Sequence, residues 1–548
     1  MDKLFERNIL ALAERNKEAA ERLSLPEEGP KCYQFLESRN GELIPAMMDL
    51  SGAAHPLHSM MDPRKEAKRL IDSVEEPCFL VLLGLGGAYY AEAALERDDI
   101  HMVLIIEYGS AGLKELFGRL DYSGVLTNPR CRVLLDAQGE EIERNILDLY
   151  QPSLSGGIRV IPLRSRTGFD QKPFANGGEA IEKAVKKVLA DYSVQAHFGR
   201  RWLANISRNL SMIANAETAL PKPRRVAITA AGPSLSTQIN QLKEKRKELY
   251  LIASDTSLPC LLHENIKPDA VISIDCQHYS YYHFLSGIPE DVLLFLDLAS
   301  PPLLSRLSKN PRFFISAHPL ARYISNTLKT MDELDTSGGN VTYAALSLAE
   351  LLGAREIELY GADFSYPGGV PYARGTYIYP YFEKSQGRFS PLESQVSAFL
   401  YRTPLEKKKL PDNSFYYETP ILKFYREKLE EKSSMMEAAL TQIRGQGAPV
   451  NLKQREIQQS TYQKASTDDK ANMKAEDFLA QYRDKIAKLP KAGINSTDYL
   501  TSLNSEERIL FTTLLPLLAY IKKRNEKLDF GELVEELKTT LTKEINIT

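Results

Sequence analysis

Tryptophan occurs once in this 548-residue chain, at position 202, and cysteine five times, at positions 32, 78, 131, 260 and 276. No two cysteines form a C-x-x-C pair, which excludes a disulfide framework and a thiolate metal site and points to a reducing, cytoplasmic compartment. The eight histidines make no metal cluster. His278 and His283 lack the H-E-x-x-H spacing, His55 and His58 sit in a proline-containing turn, and no nucleophile elbow or Ser-His-Asp order is present. Charge of one sign is also missing: 69 basic residues face 72 acidic ones, a net of −3, so no global field holds nucleic acid or an anionic membrane. No apolar run approaches the ~20 residues of a membrane-spanning helix. The first residues, Met1 to Arg7, mix charges and lack the apolar core of a secretory signal. There is no repeat of 20 to 50 residues, and the Lys407–Lys409 and Lys522–Arg524 clusters are short enough to be solvated surface.

What the chain does hold is core material. At 43% hydrophobic and 26% charged residues it has the balance of a soluble globular protein, and its length calls for more than one core. The pattern divides into a Rossmann-like domain with flanking helices over 1–200, an α/β domain with a mostly parallel sheet over 221–420, and a helical domain over 421–548. In the first, a helix over 1–25 precedes an apolar strand that runs into Gly84-Leu-Gly-Gly87. A second strand, 101–107, ends at Glu107. Strand, glycine turn, helix, strand and terminal acid make a Rossmann-like half, in which Glu107 is placed to meet a ribose hydroxyl. Gly84, Gly86 and Gly87 do not give G-x-G-x-x-G, because Tyr89 stands where the third glycine belongs. Two readings remain: a ligand site at Gly84, Gly86 and Glu107, or a doubly wound domain that has kept only the fold. Strands at 131–135 and 158–162 extend the sheet, and a helical stretch over 178–216 leads to Pro221-Lys-Pro223, which cannot continue a helix.

The central strands read at 226–230, 249–253, 270–274, 292–297, 313–316 and 356–360, with helical patterns between them, as a parallel sheet requires. Helical spacing returns over 424–440, 476–486, 505–524 and 530–544, and 445–472 is polar. Ligands of an open parallel sheet bind beyond the carboxyl ends of its strands. There the first strand delivers Gly232-Pro-Ser234, whose glycine, helix-starting proline and hydroxyl suit a phosphate cradle. The next two deliver Asp255 and Asp275, which suit ribose hydroxyls, a base amine or a magnesium ion against a diphosphate, and which equally suit helix caps. Thr336-Ser-Gly-Gly339 brings small residues and free amides to a helix start, with Thr336 or Ser337 as its cap. The strand 356–360 delivers Asp363, followed by a loop carrying Tyr366, Tyr372, Tyr377, Tyr379 and Tyr381. Phenols there can donate to a departing phosphate or stack on a sugar, or fold over one another.

Ala231-Gly-Pro-Ser-Leu235, Asp255, Pro268-Asp269 with Ser273-Ile-Asp275, Thr336-Ser-Gly-Gly339, and Leu352 to Ile357 followed by Gly361-Ala-Asp363 make the central domain resemble the motility-associated factor (Maf) glycosyltransferases of bacterial flagellin. It is also similar to a bacterial sialyltransferase fold and to archaeal-type 6-hydroxymethylpterin pyrophosphokinases. The Rossmann-like domain before it and the helical region after it favour the Maf branch. The resemblance implies inverting transfer of a nonulosonic acid of pseudaminic, legionaminic or sialic type from a CMP-activated donor to Ser or Thr of flagellin or another protein acceptor. Gly232, Pro233, Ser234, Asp255, Asp275, Thr336, Ser337, Gly338, Gly339 and Asp363 would line the nucleotide site. Tyr366 and Tyr372 match the tyrosines that assist the leaving phosphate. The sialyltransferases carry asparagine where this chain has Asp255 and Asp275, and a carboxylate accepts but does not donate at neutral pH. They also place a histidine before the last helix, where this chain offers only Glu418 as catalytic base. The pyrophosphokinase branch implies ATP and a pterin instead, and the missing histidine leaves room for a non-catalytic flagellin-binding module.

Overall fold

The computed structural model describes residues 3–25, 32–49, 51–169, 171–213, 220–453 and 473–546. The chain is a mixed α/β protein that divides into two compact units. One is Met1–Arg200 with Lys485–Thr542, and the other is Arg201–Asp484 with Lys543–Thr548.

In the first unit, β1 (Tyr33–Glu37), β2 (Leu43–Met48) and β3 (Ala54–Pro56) form an antiparallel sheet. Then β4 (Cys78–Leu83), β5 (Ile100–Glu107), β6 (Cys131–Leu135) and β7 (Gly157–Pro162) form a parallel sheet of order β6-β5-β4-β7. Side chains alternate between faces along a strand, so the continuous apolar run of β4 serves two cores. Leu80 and Leu82 enter one, Phe79, Val81 and Leu83 the other. The antiparallel sheet was not foreseen in the sequence. The single helix expected over 1–25 is two, Lys3–Ala13 and Lys17–Ser24, divided where Asn16 caps the second.

In the second unit, β8 (Arg225–Thr229), β9 (Tyr250–Ser254), β10 (Ala270–Ser273), β11 (Leu293–Asp297), β12 (Pro311–Phe314) and β13 (Glu356–Tyr360) form where the sequence placed them. A small antiparallel sheet of β14 (Tyr366–Pro367), β15 (Glu406–Lys409) and β16 (Phe415–Glu418) stands apart, and β17 (Ala439–Gln442) joins the parallel sheet at its edge. The parallel order is β12-β11-β10-β9-β8-β13-β17, all pairs parallel. Strand order reverses at β8, so the crevice where such sheets bind ligands opens beside the turns that follow β8 and β13.

The segment expected as one helical domain from residue 421 meets a different partition. Its first part stays with the second unit, because the helix Pro420–Ser433 leads into β17, which pairs with β13. The sequence reading carried that helix through Leu440. Its last part belongs to the first unit: Asn495 Nδ2 donates to the Asp98 carbonyl at 2.6 Å, the Ser496 N–H meets His101 Nδ1 at 3.1 Å, and Tyr499, Phe511 and Phe530 pack edge to face. The helical stretch expected over 505–524 is two helices, Ser505–Thr512 and Leu515–Arg524, the second with Pro516 in its first turn. Residues 454–472 of the expected polar stretch, and 214–216 of the stretch expected over 178–216, lie outside the described residues. No helix among the described residues is long and apolar enough to cross a membrane.

The helix Gln171–Ile213 belongs to the first unit up to Arg200. There Gly199 lies against the Pro516 carbonyl, which a Cβ would overlap, whereas a Cβ at Gly178 would meet nothing within 4 Å. Gly199→Ala is therefore expected to destabilise the first unit by roughly 1–3 kcal/mol. Gly178→Ala is expected to be neutral or to stabilise by up to about 1 kcal/mol. Urea unfolding followed by circular dichroism separates the two.

Candidate functional site

The crevice at the strand-order reversal is filled from within. Gly232 follows β8, and a Cβ there would overlap Asp363 Oδ2 and the Gly361 carbonyl. Gly361 has φ +62°, a left-handed conformation that favours glycine. The Ser234 N–H, next to the helix Leu235–Lys245, donates to Asp363 Oδ2 at 2.8 Å, and Ser234 Oγ accepts from the Gln446 N–H at 2.9 Å. Asp363 is 3% exposed. Burial pushes its carboxyl up, against the Ser234 hydrogen bonds that favour the ionised form. The Gly232-Pro-Ser234 turn thus holds a carboxylate of its own chain where the sequence suggested a phosphate.

The next two strand ends each deliver a carboxylate. Asp255, just after β9, is 4% exposed. Its Oδ1 accepts from the Thr256 N–H at 2.6 Å and its Oδ2 from the Ser273 hydroxyl at 2.6 Å. Asp275, two residues past β10, accepts from the Gln277 N–H at 2.9 Å. Burial pushes the Asp275 carboxyl up, and the neighbouring Asp255 charge adds to this; the Gln277 N–H and His283 act against it. No group of three His, Cys, Asp or Glu suited to a metal ion occurs among the described residues. Asp255 and Asp275 are two carboxylates of the kind that hold magnesium together with substrate phosphates and water, and the steps below are written for the chain's own residues.

Thr336-Ser-Gly-Gly339 does not cap its helix. The cap of Val341–Leu351 is Asn340, whose Oδ1 accepts from the Tyr343 N–H at 3.0 Å, while the Ser337 N–H turns back to Asp335 at 2.9 Å. The correction follows from reach, since a cap must sit directly before the helix it serves. A Cβ at Gly338 would overlap the Tyr343 ring, and one at Gly339 would lie 3.2 Å from Tyr425. Tyr425 in turn lies within electrostatic range of Asp275, so the glycine turn reaches the same rim.

The tyrosines converge there as well. Tyr366 lies on β14, and the ring of Tyr372 stands 6.4 Å from that of Tyr377. Tyr379 donates to the Tyr372 carbonyl at 2.7 Å, which holds the loop. Burial pushes the Tyr372 phenol up to about 12, with smaller upward contributions from Tyr366 and Asp255 and an opposing one from Arg402. Burial also raises Tyr366 and Tyr377, so all three phenols are protonated donors at neutral pH. His283 packs edge to face on Tyr377 at 4.5 Å, is 9% exposed, and has no hydrogen-bond partner on its buried Nδ1. Sequence reasoning weighed it only as a metal ligand.

Two expectations are corrected. Glu418, expected as a base with a raised pKa, lies 2.6 Å from Lys408 Nζ and 2.9 Å from Arg426. Burial opposes its ionisation, but the two cations outweigh burial and hold the carboxyl below the usual range. A carboxylate so paired is a weak proton acceptor. In the first unit, Glu107, for which a ribose contact was one of the two readings, pairs with Arg166 at 2.7 Å and accepts from the Leu85 N–H at 2.7 Å. His58 Nε2 accepts from the Gly87 N–H at 2.9 Å, and a Cβ at Gly86 would lie 2.6 Å from it. Gly84 has φ +104° and packs on Leu163. The space over the glycine turn is filled by the chain's own side chains.

Sequence reasoning also passed over the supports behind the rim. Asn205 Nδ2 donates to the carbonyls of Cys276 and Ala299, and Asn209 Nδ2 to those of Leu298 and Ser300. These four bonds fix the loops that follow β10 and β11. Asp297, the last residue of β11, accepts from the Ala299 N–H at 2.7 Å, and burial pushes its carboxyl up from 3.8 to about 6. An acid with a raised folded-state pKa holds its proton more tightly folded than unfolded. The stability that Asp297 contributes is therefore greatest below about pH 4, falls as pH rises through about 6, and is absent above that. Asp297→Asn is expected to remove this slope, worth about 3 kcal/mol, in urea midpoints measured between pH 4 and 7.

Residues 200–369 match the family model described as 6-hydroxymethylpterin diphosphokinase MptE-like. An uncharacterized protein of Treponema pallidum (strain Nichols) is 35% identical over 153 residues, 27% of this chain and 54% of the relative. A second from the same strain is 29% identical over 176 residues, 32% of this chain and 84% of the relative. The chain thus spans about half the length of the first of these relatives. Among solved structures, the Maf glycosyltransferase from Magnetospirillum magneticum AMB-1 is similar with a TM-score of 0.59 at 14% identity, over 100% of this chain and 95% of that one. Residues 200–369 accordingly resemble the MptE-like family, in a chain whose fold is similar to that of the Maf glycosyltransferase.

Proposed function

We propose that the chain is a Maf-like inverting glycosyltransferase that moves a nonulosonic acid from a CMP-activated donor to a Ser or Thr hydroxyl of flagellin. The observation that carries this reading is that Asp255 and Asp275 follow neighbouring strands joined by the Ser273–Asp255 hydrogen bond, with Tyr372 within electrostatic reach of Asp255 and Tyr366. The fold match over the full chain supports it. In this reading the carboxylates accept from nucleoside hydroxyls or amines, and Gly338 and Gly339 let the backbone approach the ligand. The acceptor oxygen forms a bond to the anomeric carbon as the bond to the phosphate oxygen breaks, with its electron pair leaving on the phosphate. Tyr366 and Tyr372 donate to that phosphate. His283, beside Asp275, takes the hydroxyl proton. The Ser234–Asp363 contact supports the rim from behind.

Purified protein incubated with CMP-nonulosonates and flagellin should raise the mass of flagellin on Ser or Thr. Failure to release CMP from every donor tried would sink the proposal. Tyr372→Phe is expected to lower kcat about 10²-fold with little change in donor affinity, and Asp255→Ala to weaken nucleotide binding at least ten-fold. The match of residues 200–369 to the MptE-like model favours a second reading, transfer of diphosphate from ATP to 6-hydroxymethylpterin. Magnesium-dependent AMP release that requires the pterin would establish it instead.

A further inference from the structure

Several cations of the second unit have carboxylate partners. Lys408 and Arg426 share Glu418, Arg426 also meets Glu430, and Lys432 meets Asp335 and Glu350. Arg402 differs. It is exposed, follows the helix Leu392–Leu400, and makes no ion pair with a carboxylate among the described residues. Its guanidinium carbon lies 3.9 Å from the centre of the Phe399 ring. Phe399 is 6.2 Å from Tyr372, and Tyr372 is 6.4 Å from Tyr377. A guanidinium stacked on a ring keeps its in-plane N–H donors pointing outward. The groups near it are themselves donors: Arg402 acts electrostatically on the phenols of Tyr366, Tyr372 and Tyr377. A cation set over a ring among protonated phenols, with no carboxylate partner, is an arrangement completed by an anion.

We infer that Arg402 is the anion receptor of this site: set over the Phe399 ring, it binds a substrate oxyanion together with the hydroxyls of Tyr366 and Tyr372. The inference rests on the transferase reading above and adds the group that fixes the charged end of the donor. Two oxyanions of a CMP-activated sugar acid have the required chemistry, the phosphate and the sugar carboxylate. Arginine suits either because its planar fork matches two oxygens at once.

Calorimetric titration of the full chain with CMP, cytidine, inorganic phosphate and N-acetylneuraminate, in the wild type, Arg402→Gln and Arg402→Lys, tests the assignment. The wild type is expected to bind CMP more tightly than cytidine. Arg402→Gln should cost about ten- to a hundred-fold in CMP affinity while leaving cytidine unchanged, and Arg402→Lys should recover part of the loss. A loss confined to N-acetylneuraminate would support the same receptor with the carboxylate as its ligand. Equal affinities for every probe in wild type and Arg402→Gln would overturn the assignment and leave the transferase reading standing. A wild type that binds none of the four would remove both. Unchanged thermal unfolding of Arg402→Gln, expected for an exposed side chain, separates loss of a ligand contact from loss of fold.

Discussion

A buried N–H at the start of a helix demands an acceptor, and the hydrogen bond from Ser234 to Asp363 meets that demand in the second unit. Much else in the crevice follows from it. Gly232 must lack a side chain so that the carboxylate can approach, and Gly361 must take a left-handed turn to deliver it. Gly447 lets the chain after β17 pass close to Asp363, whose carbonyl accepts from the Ala448 N–H at 2.9 Å. Gln238 ties the same loops by donating to the Ile443 carbonyl and accepting from the Gly361 N–H. The crevice where a generic sheet of this kind receives its ligand is closed by this knot, and the open chemistry moves one and two strands along, to Asp255 and Asp275.

The first unit reaches the same outcome with opposite charges. Its strand order reverses at β4, and there the donors of the glycine turn meet Glu107 and His58, with Arg166 neutralising the glutamate. A buried carboxylate without that partner would be costly. In this Rossmann-like outline the glycine turn and the acid that ends the second strand face one another.

The parallel strands were legible because each is an apolar run bounded by turn residues, and a buried parallel strand leaves no other mark. β17 was not, since Ala439–Gln442 continues the spacing of the helix before it and only its pairing with β13 makes it a strand. Asp255, Asp275, Thr336–Gly339, Tyr366 and Tyr372 were legible as residues that follow strand ends. Whether a given group there faces a ligand or a partner was not, because the deciding contacts join distant segments. Asp363 lies 129 positions from Ser234, and Glu107 lies far from Arg166 in the chain. Arg402 gave no signal at all, because a lone exposed arginine is ordinary until its neighbours are known.

The solitary indole acquires a use from where it sits. Trp202 lies edge to face with His318 at 5.3 Å, one turn before Asn205, whose amide holds the loops after β10 and β11. With 27 tyrosines but one tryptophan in the chain, red-edge excitation selects a single chromophore. Its emission reports the helix that braces the rim of the second unit, free of any other indole, so changes in that brace are visible in the unlabelled protein.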